Sequence, residues 1–240
     1  MRFLVTNDDG FHAQGIQLLA KIAAEFGEVH IVAPLAEQSG ISHRITFEQP
    51  MNLNEVGEKQ FTVNGTPADC VRVAFSVWEN QFDVVLSGVN NGANLGVDVF
   101  YSGTVAAARE ATFFQIPAIA FSQHRANYQA SFDFEKTVPL ARRLLKQQLD
   151  KLADCDYASL TNINLPDRAQ SAPSEEIEVV LCEVDPSPLP ADFRKDNGSL
   201  IYGGKYADRP RNKGQDTDVC FSGNVSLSEI RGLVPYRTGT

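Results

Sequence analysis

The sequence predicts an α/β fold built on a doubly wound, mostly parallel sheet, with an antiparallel hairpin extension near its C-terminus. Three observations predict it. Short apolar runs alternate with amphipathic helical segments from residue 1 to about residue 150. Three of those runs end in polar, glycine-containing segments, as strands do whose carboxyl ends face a ligand. In the last third, Asp196-Asn197-Gly198 stands between Phe193 and Leu200-Ile201-Tyr202, a strong hairpin signal.

Phe3, Leu4 and Val5 form a first buried strand, which stops at the turn formers Asn7-Asp8-Asp9-Gly10. Ile16, Leu19, Ala20, Ala23 and Phe26 make one apolar stripe on a helix over residues 13–26, and Gly27 stops it. Val29, Ile31, Val32 and Ala33 read as a second strand, ended by Pro34. The chain thus opens with a βαβ unit, hence a parallel pair with a right-handed crossover. Residues 34–60 read as polar and irregular, and residues 61–63 as a short strand. Thr66-Pro67-Ala68-Asp69 opens a helix: Thr66 caps, Pro67 fits the first turn and Asp69 reaches back as in a capping box. Cys70, Val73, Ala74 and Val77 are its apolar face. Residues 82–86 are the next buried strand, ending at Ser87-Gly88.

The 17 residues from Gly88 to Thr104 hold four glycines and three asparagines, more than a simple connection needs. An alanine-rich helix over 105–114, a strand over 117–121 and a long amphipathic helix marked by Phe134, Val138, Ala141, Leu145 and Leu149 follow. Beyond it, Ile177, Val179 and Leu181 alternate with polar residues as in a half-exposed strand, and residues 219–227 read as a final strand. A Rossmann-like core over 1–165 and a β extension over 166–240 are expected. The hairpin either pairs with another subunit or packs on its own domain.

The 240 residues suffice for one domain with a large core, with or without an appendage. A formal net charge of −9 argues against polymeric nucleic acid or an anionic membrane as partner, while leaving room for a small anion at a local site. No stretch approaches the roughly 20 apolar residues of a membrane span. The N-terminus enters a strand at once, which leaves no room for a signal peptide. Cys70, Cys155, Cys182 and Cys220 lack Cys-x-x-Cys spacing and read as reduced core cysteines. A cytoplasmic protein is therefore expected, in which the Asn-x-Ser triplets at Asn197 and Asn224 are chance matches.

Asp8 and Asp9 sit side by side where the first strand ends. Confining two adjacent carboxylates costs free energy that a bound cation relieves, whereas a surface Asp-Asp-Gly turn needs no such partner. Parallel strands bring Asn7–Gly10, Ser39-Gly40 and Ser87–Asn91 to one edge of the sheet. The Asp, Asp, Ser and Asn side chains gathered there offer oxygen and neither thiolate nor imidazole, which suits a hard cation such as Mg²⁺, Mn²⁺ or Ca²⁺. His12 and His43 lie near in sequence but are not counted as ligands. The glycine-rich loop running into Tyr101-Ser102-Gly103-Thr104 suggests an anion site, since free amides and the helix dipole favour negative charge there. Simple N-capping by Ser102 would require neither the length of the loop nor its glycines. A hard cation beside such a helix start suits phosphate ester chemistry. The cation can polarise a phosphoryl oxygen and lower the pKa of a bound water, and Asp8 or Asp9 can orient that water or accept its proton.

Asn7-Asp8-Asp9-Gly10, Ala33-Pro34 with Ser39-Gly40, and Gly65-Thr66-Pro67-Ala68-Asp69-Cys70-Val71 are three motifs in order. Ser87-Gly88-Val89-Asn90 through Asn94-Leu95-Gly96, Tyr101-Ser102-Gly103-Thr104-Val105 and Asn162-Ile163-Asn164-Leu165-Pro166 complete the set. Together they closely resemble the SurE family, stationary-phase survival proteins with 5'(3')-nucleotidase activity. The resemblance implies that Asp8, Asp9, Ser39 and Asn90 are the ligands of one divalent ion, Mg²⁺ or Mn²⁺. It implies that Asn94 and Ser102-Gly103-Thr104 meet the phosphate and that Asp8 and Asp9 are catalytic. The implied reaction is hydrolysis of nucleoside monophosphates to nucleoside and phosphate, and some members also act on polyphosphate. A homodimer or homotetramer exchanging C-terminal segments is implied as well. Activated water or Asp8 is the nucleophile, and the Asp-x-Asp pattern of aspartyl-phosphate phosphatases is absent. The match thins over residues 223–230, which bears on the oligomer interface and base recognition more than on the metal site. Asp216 and Asp218 sit where the family often carries a Gly-Thr-Asp element and receive no role.

The alternative function is a non-catalytic nucleotide-binding sensor, which would keep the phosphate loop and lose the metal; the intact set of Asp8, Asp9, Ser39 and Asn90 argues against it. A Rossmann oxidoreductase lacks its Gly-x-Gly-x-x-Gly after the first strand, and a P-loop NTPase lacks its Gly-x-x-x-x-Gly-Lys-Ser/Thr. A purely structural oligomerisation module leaves the paired carboxylates unexplained.

Overall fold

The structure, a computed structural model, describes residues 1–79, 81–152 and 158–230, so Cys155 lies outside it. The opening unit is β1 (Arg2–Thr6), α1 (Gln14–Ala23) and β2 (Glu28–Pro34). β1 pairs in parallel with β2 on one side, and on the other with the strand over Val84–Asn91, so that Leu4 lies between His30 and Val85. After β2 the chain lays down β3 (Leu53–Gly57), β4 (Gln60–Val63) and α2 (Pro67–Val77), then returns across β1 to form β5 (Val84–Asn91). The short α3 (Asp98–Tyr101), α4 (Gly103–Phe113), β6 (Ala118–Gln123), α5 (Val138–Leu152) and β7 (Leu160–Leu165) follow. The central order β4-β2-β1-β5-β6-β7 is parallel throughout. Strand order reverses between β1 and β5, and a doubly wound sheet opens a crevice beyond its carboxyl ends at such a point.

Phe3, Leu4 and Val5 are fully buried, because a parallel sheet needs a layer on each face. Ile16 and Leu19 of α1 and Leu144 and Leu145 of α5 cover one face with Phe3 and Val5. Cys70, Val71 and Ala74 of α2 and Ala107, Ala108 and Ala111 of α4 cover the other with Leu4 and Val85. Gly15 lets α1 cross β5 closely, since a Cβ there would overlap the Val89 carbonyl oxygen. α2 opens with the expected capping box: the Thr66 hydroxyl accepts from the Asp69 N–H at 3.2 Å, and the Asp69 carboxylate accepts from the Thr66 N–H at 2.9 Å.

The structure corrects four element boundaries. β3 lies within the stretch that reads as irregular; it pairs antiparallel with β4 at the sheet edge and is too exposed to carry an apolar alternation. β5 runs past Gly88 to Asn91, because Asn90 and Asn91 pair through their backbones with Ser122 and Gln123. The glycine-rich loop contains α3. Residues expected to open the final strand are instead α6 (Asp216–Phe221), whose Val219 and Cys220 are buried. The strand itself follows Gly223, with φ +90°.

Beyond residue 165 the chain divides. β8 (Val179–Leu181) and β11 (Val225–Ile230) join the main sheet, β11 antiparallel to β7. β9 (Phe193–Asp196) and β10 (Ser199–Tyr202) form a separate antiparallel hairpin, with Asn197 and Gly198 at φ +46° and +84° as a two-residue turn of this twist demands.

Candidate active site

β1 delivers Asp8 and Asp9 to the crevice. Asn7 is fully buried, and its Nδ2 donates to the Gly10 carbonyl at 2.9 Å, closing the turn. Gly10, at φ +93°, lets the backbone of Ala36 and Glu37 come close. The Gln38 N–H then donates to the Asp8 carbonyl at 2.7 Å, which sets Ser39 beside the carboxylate pair. The same loop is tied to α3: the Ser42 N–H donates to the Tyr101 carbonyl at 2.9 Å, and its hydroxyl to the Phe100 carbonyl at 2.6 Å.

A cavity of about 900 Å³ opens at this crevice, within the range of small-molecule sites. Asp8, Asp9, Ser39, Asn90, Asn94 and Ser102 line it together, as does His12. His43 does not; its Nε2 meets Glu110 Oε2 at 2.8 Å, and its ring stacks on Phe113. Gly103 and Thr104 stand behind Asp8. The Thr104 hydroxyl donates to Asp8 Oδ1, and Gly103 packs against the Asp8 side chain. Thr104, at the start of α4, thus spends its hydroxyl on Asp8. Ser102 caps α4, its hydroxyl accepting from the Val105 N–H at 3.1 Å.

Asp8 is only 4% exposed, and burial pushes its carboxyl up, against the bond from the Thr104 hydroxyl. Asp9 accepts from the Asn91 N–H at 3.2 Å. Its pKa is pushed up to about 6, first by burial, then by the charge of Asp8 and that of Glu37. Two confined like charges, each disfavoured, are what a cation would relieve. Ser39 Oγ donates to Glu37 Oε1 at 2.6 Å. Asn90 spends its Nδ2 on the Gly92 carbonyl at 2.8 Å, leaving the amide oxygen available to a ligand. Among the described residues, no group of three or more His, Cys, Asp or Glu side chains is arranged to hold a metal. The donors here are two carboxylates and neutral oxygens, a set that fits a hard cation completing its shell with water or substrate.

Asn94 is held from β7. Its N–H donates to Asn164 Oδ1 at 2.8 Å, and its carbonyl accepts from Asn162 Nδ2 at 2.9 Å. Its own Nδ2 donates to Ser122 Oγ at 2.8 Å. The Asn162-Ile163-Asn164 motif thus serves as a cradle for the loop. Residues that sequence reasoning left without a role clamp the same loop from the far end of the chain. Asp216, fully buried, accepts from the N–H groups of Gly96 at 2.8 Å and Asp185 at 2.9 Å. Arg209 pairs with Asp98 and donates to the Leu95 carbonyl at 2.9 Å, and the Tyr206 hydroxyl donates to Asp98 at 3.1 Å. Asp218, by contrast, accepts from the Gly214 N–H at 2.9 Å and stays outside the clamp. The only sequence signal for these contacts was the acidic pair near residue 216; Tyr206 and Arg209 lie in a polar stretch with no periodicity.

Paired carboxylates and neutral oxygen donors at the switch point of a parallel sheet define a class: α/β proteins with an acidic, oxygen-lined ligand cavity. Comparison narrows it. The family model described as survival protein SurE matches residues 3–185, and the chain belongs to the SurE family. It is 35% identical to the 5'-nucleotidase SurE of Neisseria meningitidis serogroup A, over 99% of this chain and 95% of that protein. It is 46% identical to the 5'-nucleotidase SurE of Vibrio campbellii, over 70% of this chain and 63% of that protein. The crystal structure of the SurE protein from Aquifex aeolicus matches with a TM-score of 0.83 at 30% identity, covering 98% of this chain and 96% of that one.

Proposed function

We propose that this chain is a divalent-metal-dependent 5'-nucleotidase that hydrolyses nucleoside 5'(3')-monophosphates to nucleoside and phosphate, with polyphosphate as a further substrate. The observation that carries the reading is the confinement of Asp8 and Asp9 on one cavity wall with Ser39 and Asn90. The names of the relatives support the nucleotidase part. Asp8, Asp9, Ser39 and Asn90 would hold one Mg²⁺ or Mn²⁺. Such an ion, when bound, supplies Lewis-acid polarisation of the phosphoryl oxygen.

The chain's own residues do the rest. Thr104 and Gly103 fix Asp8, so its position does not relax during turnover. Asp9 is held by one backbone donor and has oxygen to spare for orienting the attacking water or taking its proton. Asn94 and Ser102 line the wall that would meet the phosphoryl group, and the β7 asparagines keep Asn94 in register.

The reading includes a homodimer or homotetramer. Phe193, Leu200 and Tyr202 of the hairpin are exposed, which favours pairing with another subunit over packing on its own domain. Cys70, Cys182 and Cys220 are free thiols, in keeping with a cytoplasmic setting. No helix among the described residues is long and apolar enough to cross a membrane.

p-Nitrophenyl phosphate, AMP and GMP offered with Mn²⁺ or Mg²⁺ should be turned over, and EDTA should abolish the turnover. Asp8→Asn should lower kcat by at least about 100-fold while circular dichroism stays unchanged. Turnover that survives the chelator would sink the metal-dependent mechanism, and nucleotide binding without turnover would favour the sensor.

A further inference from the structure

We propose that the ring of Tyr128 is the platform on which the base of a nucleoside monophosphate stacks, at the outer end of the cavity. The proposal rests on the nucleotidase reading of that cavity and adds to it a subsite for the part of the substrate that does not react.

Tyr128 lines the same cavity as Asp8 and Asp9, yet it is 54% exposed. A Cβ built on Gly92 would lie 2.8 Å from the Tyr128 hydroxyl and 3.6 Å from Asn90 Nδ2. The phenol tip therefore rests on the wall beside Asn90, while the ring reaches outward from it. Large exposed aromatics on polar loops are usually free to swing; this one is held. Arg125 Nη2 donates to the carbonyls of Tyr128 at 3.2 Å and Ala130 at 3.0 Å, and Nη1 donates to Asn91 Oδ1 at 3.1 Å. The guanidinium also lies 5.1 Å from the centre of the Tyr128 ring. One arginine thus fixes the loop to the residue next to Asn90 and rests against the ring as well. A pre-set aromatic face costs a base little ordering entropy when it stacks. The cavity, at about 900 Å³, has room for a nucleoside beyond the phosphoryl group.

The test compares AMP with ribose 5-phosphate, which carries the same ester and sugar and no base, in wild type, Tyr128→Ala and Tyr128→Phe with Mn²⁺. Calorimetric binding of adenosine to the EDTA-treated protein is the second readout. Tyr128→Ala should lower the ratio of kcat/KM for AMP over ribose 5-phosphate about tenfold, chiefly through KM, and weaken adenosine by a similar factor. Tyr128→Phe, which keeps the ring, should restore both. Equal losses on the two substrates, or no change in the ratio and in adenosine binding, would overturn the subsite. Loss of adenosine binding in a protein that hydrolyses neither ester would keep the subsite and overturn the nucleotidase reading instead.

Discussion

A methyl group at Gly103 would press on the Asp8 Cβ, 2.8 Å away, with Pro67 behind it at 3.1 Å. That single contact explains why the start of α4 carries glycine beside a capping serine, and it ties the placement of Asp8 to a residue almost a hundred positions away. Gly103→Ala should displace the carboxylate and lower metal-dependent kcat by about 10- to 100-fold, since misplacing a reacting group by about an ångström costs that much. Steady-state kinetics beside an unchanged urea midpoint would support this, and wild-type turnover would refute it. At this scale the sequence was readable where chemistry is local. Asp8 and Asp9 announce themselves by adjacency, and Ser39 and Asn90 by standing in polar, glycine-containing segments that follow apolar runs. Asp216, Tyr206 and Arg209 could not be found that way, because each acts through a partner more than a hundred residues off.

The elements divide by how deeply they are buried. β1, β2 and β5 are apolar because both faces are covered, so their runs are legible without any partner in view. β3 leaves no such trace, and residues 219–221 of α6 read as strand because a short stretch whose buried apolar residues are only Val219 and Cys220 fits either period. The hairpin of β9 and β10 is the reverse case: its turn chemistry was legible, but its surroundings were not. All eight of its strand residues are exposed. If the hairpin pairs with another subunit, Leu200→Asp combined with Tyr202→Asp should shift the protein to a smaller species in analytical ultracentrifugation. An unchanged sedimentation coefficient, with the hairpin still folded, would mean that the oligomer is built elsewhere.

At the scale of the whole molecule, the last quarter of the chain returns to grip the loop on which the cavity is built. His124, at the end of β6, takes part: its ring stacks on Phe221 with centroids 4.7 Å apart and lies near Tyr206. Burial there holds the imidazole below its ordinary range, against the pull of Asp167. A histidine whose folded pKa is depressed contributes its full stability above the unfolded value of about 6.5, and that stability is lost as pH falls toward the folded one. Urea midpoints should therefore drop between about pH 7 and about pH 5, and His124→Phe should remove part of that drop. Equal slopes in the two proteins would show that another group sets the acid limit.

By itself the sequence determined the alternation of strand and helix, the capping of α2, the tight hairpin turn and the carboxylate pair with its oxygen neighbours. Each of these is governed by burial, backbone torsion or charge within a few residues, so each leaves a local mark. Only the tertiary structure decided that the Thr104 hydroxyl is spent on Asp8, that Asn162 and Asn164 cradle Asn94, and that Asp216 and Arg209 hold the glycine-rich loop. Those are hydrogen bonds between distant positions, and a polar residue carries no sign of its partner until the chain has folded to bring the two together.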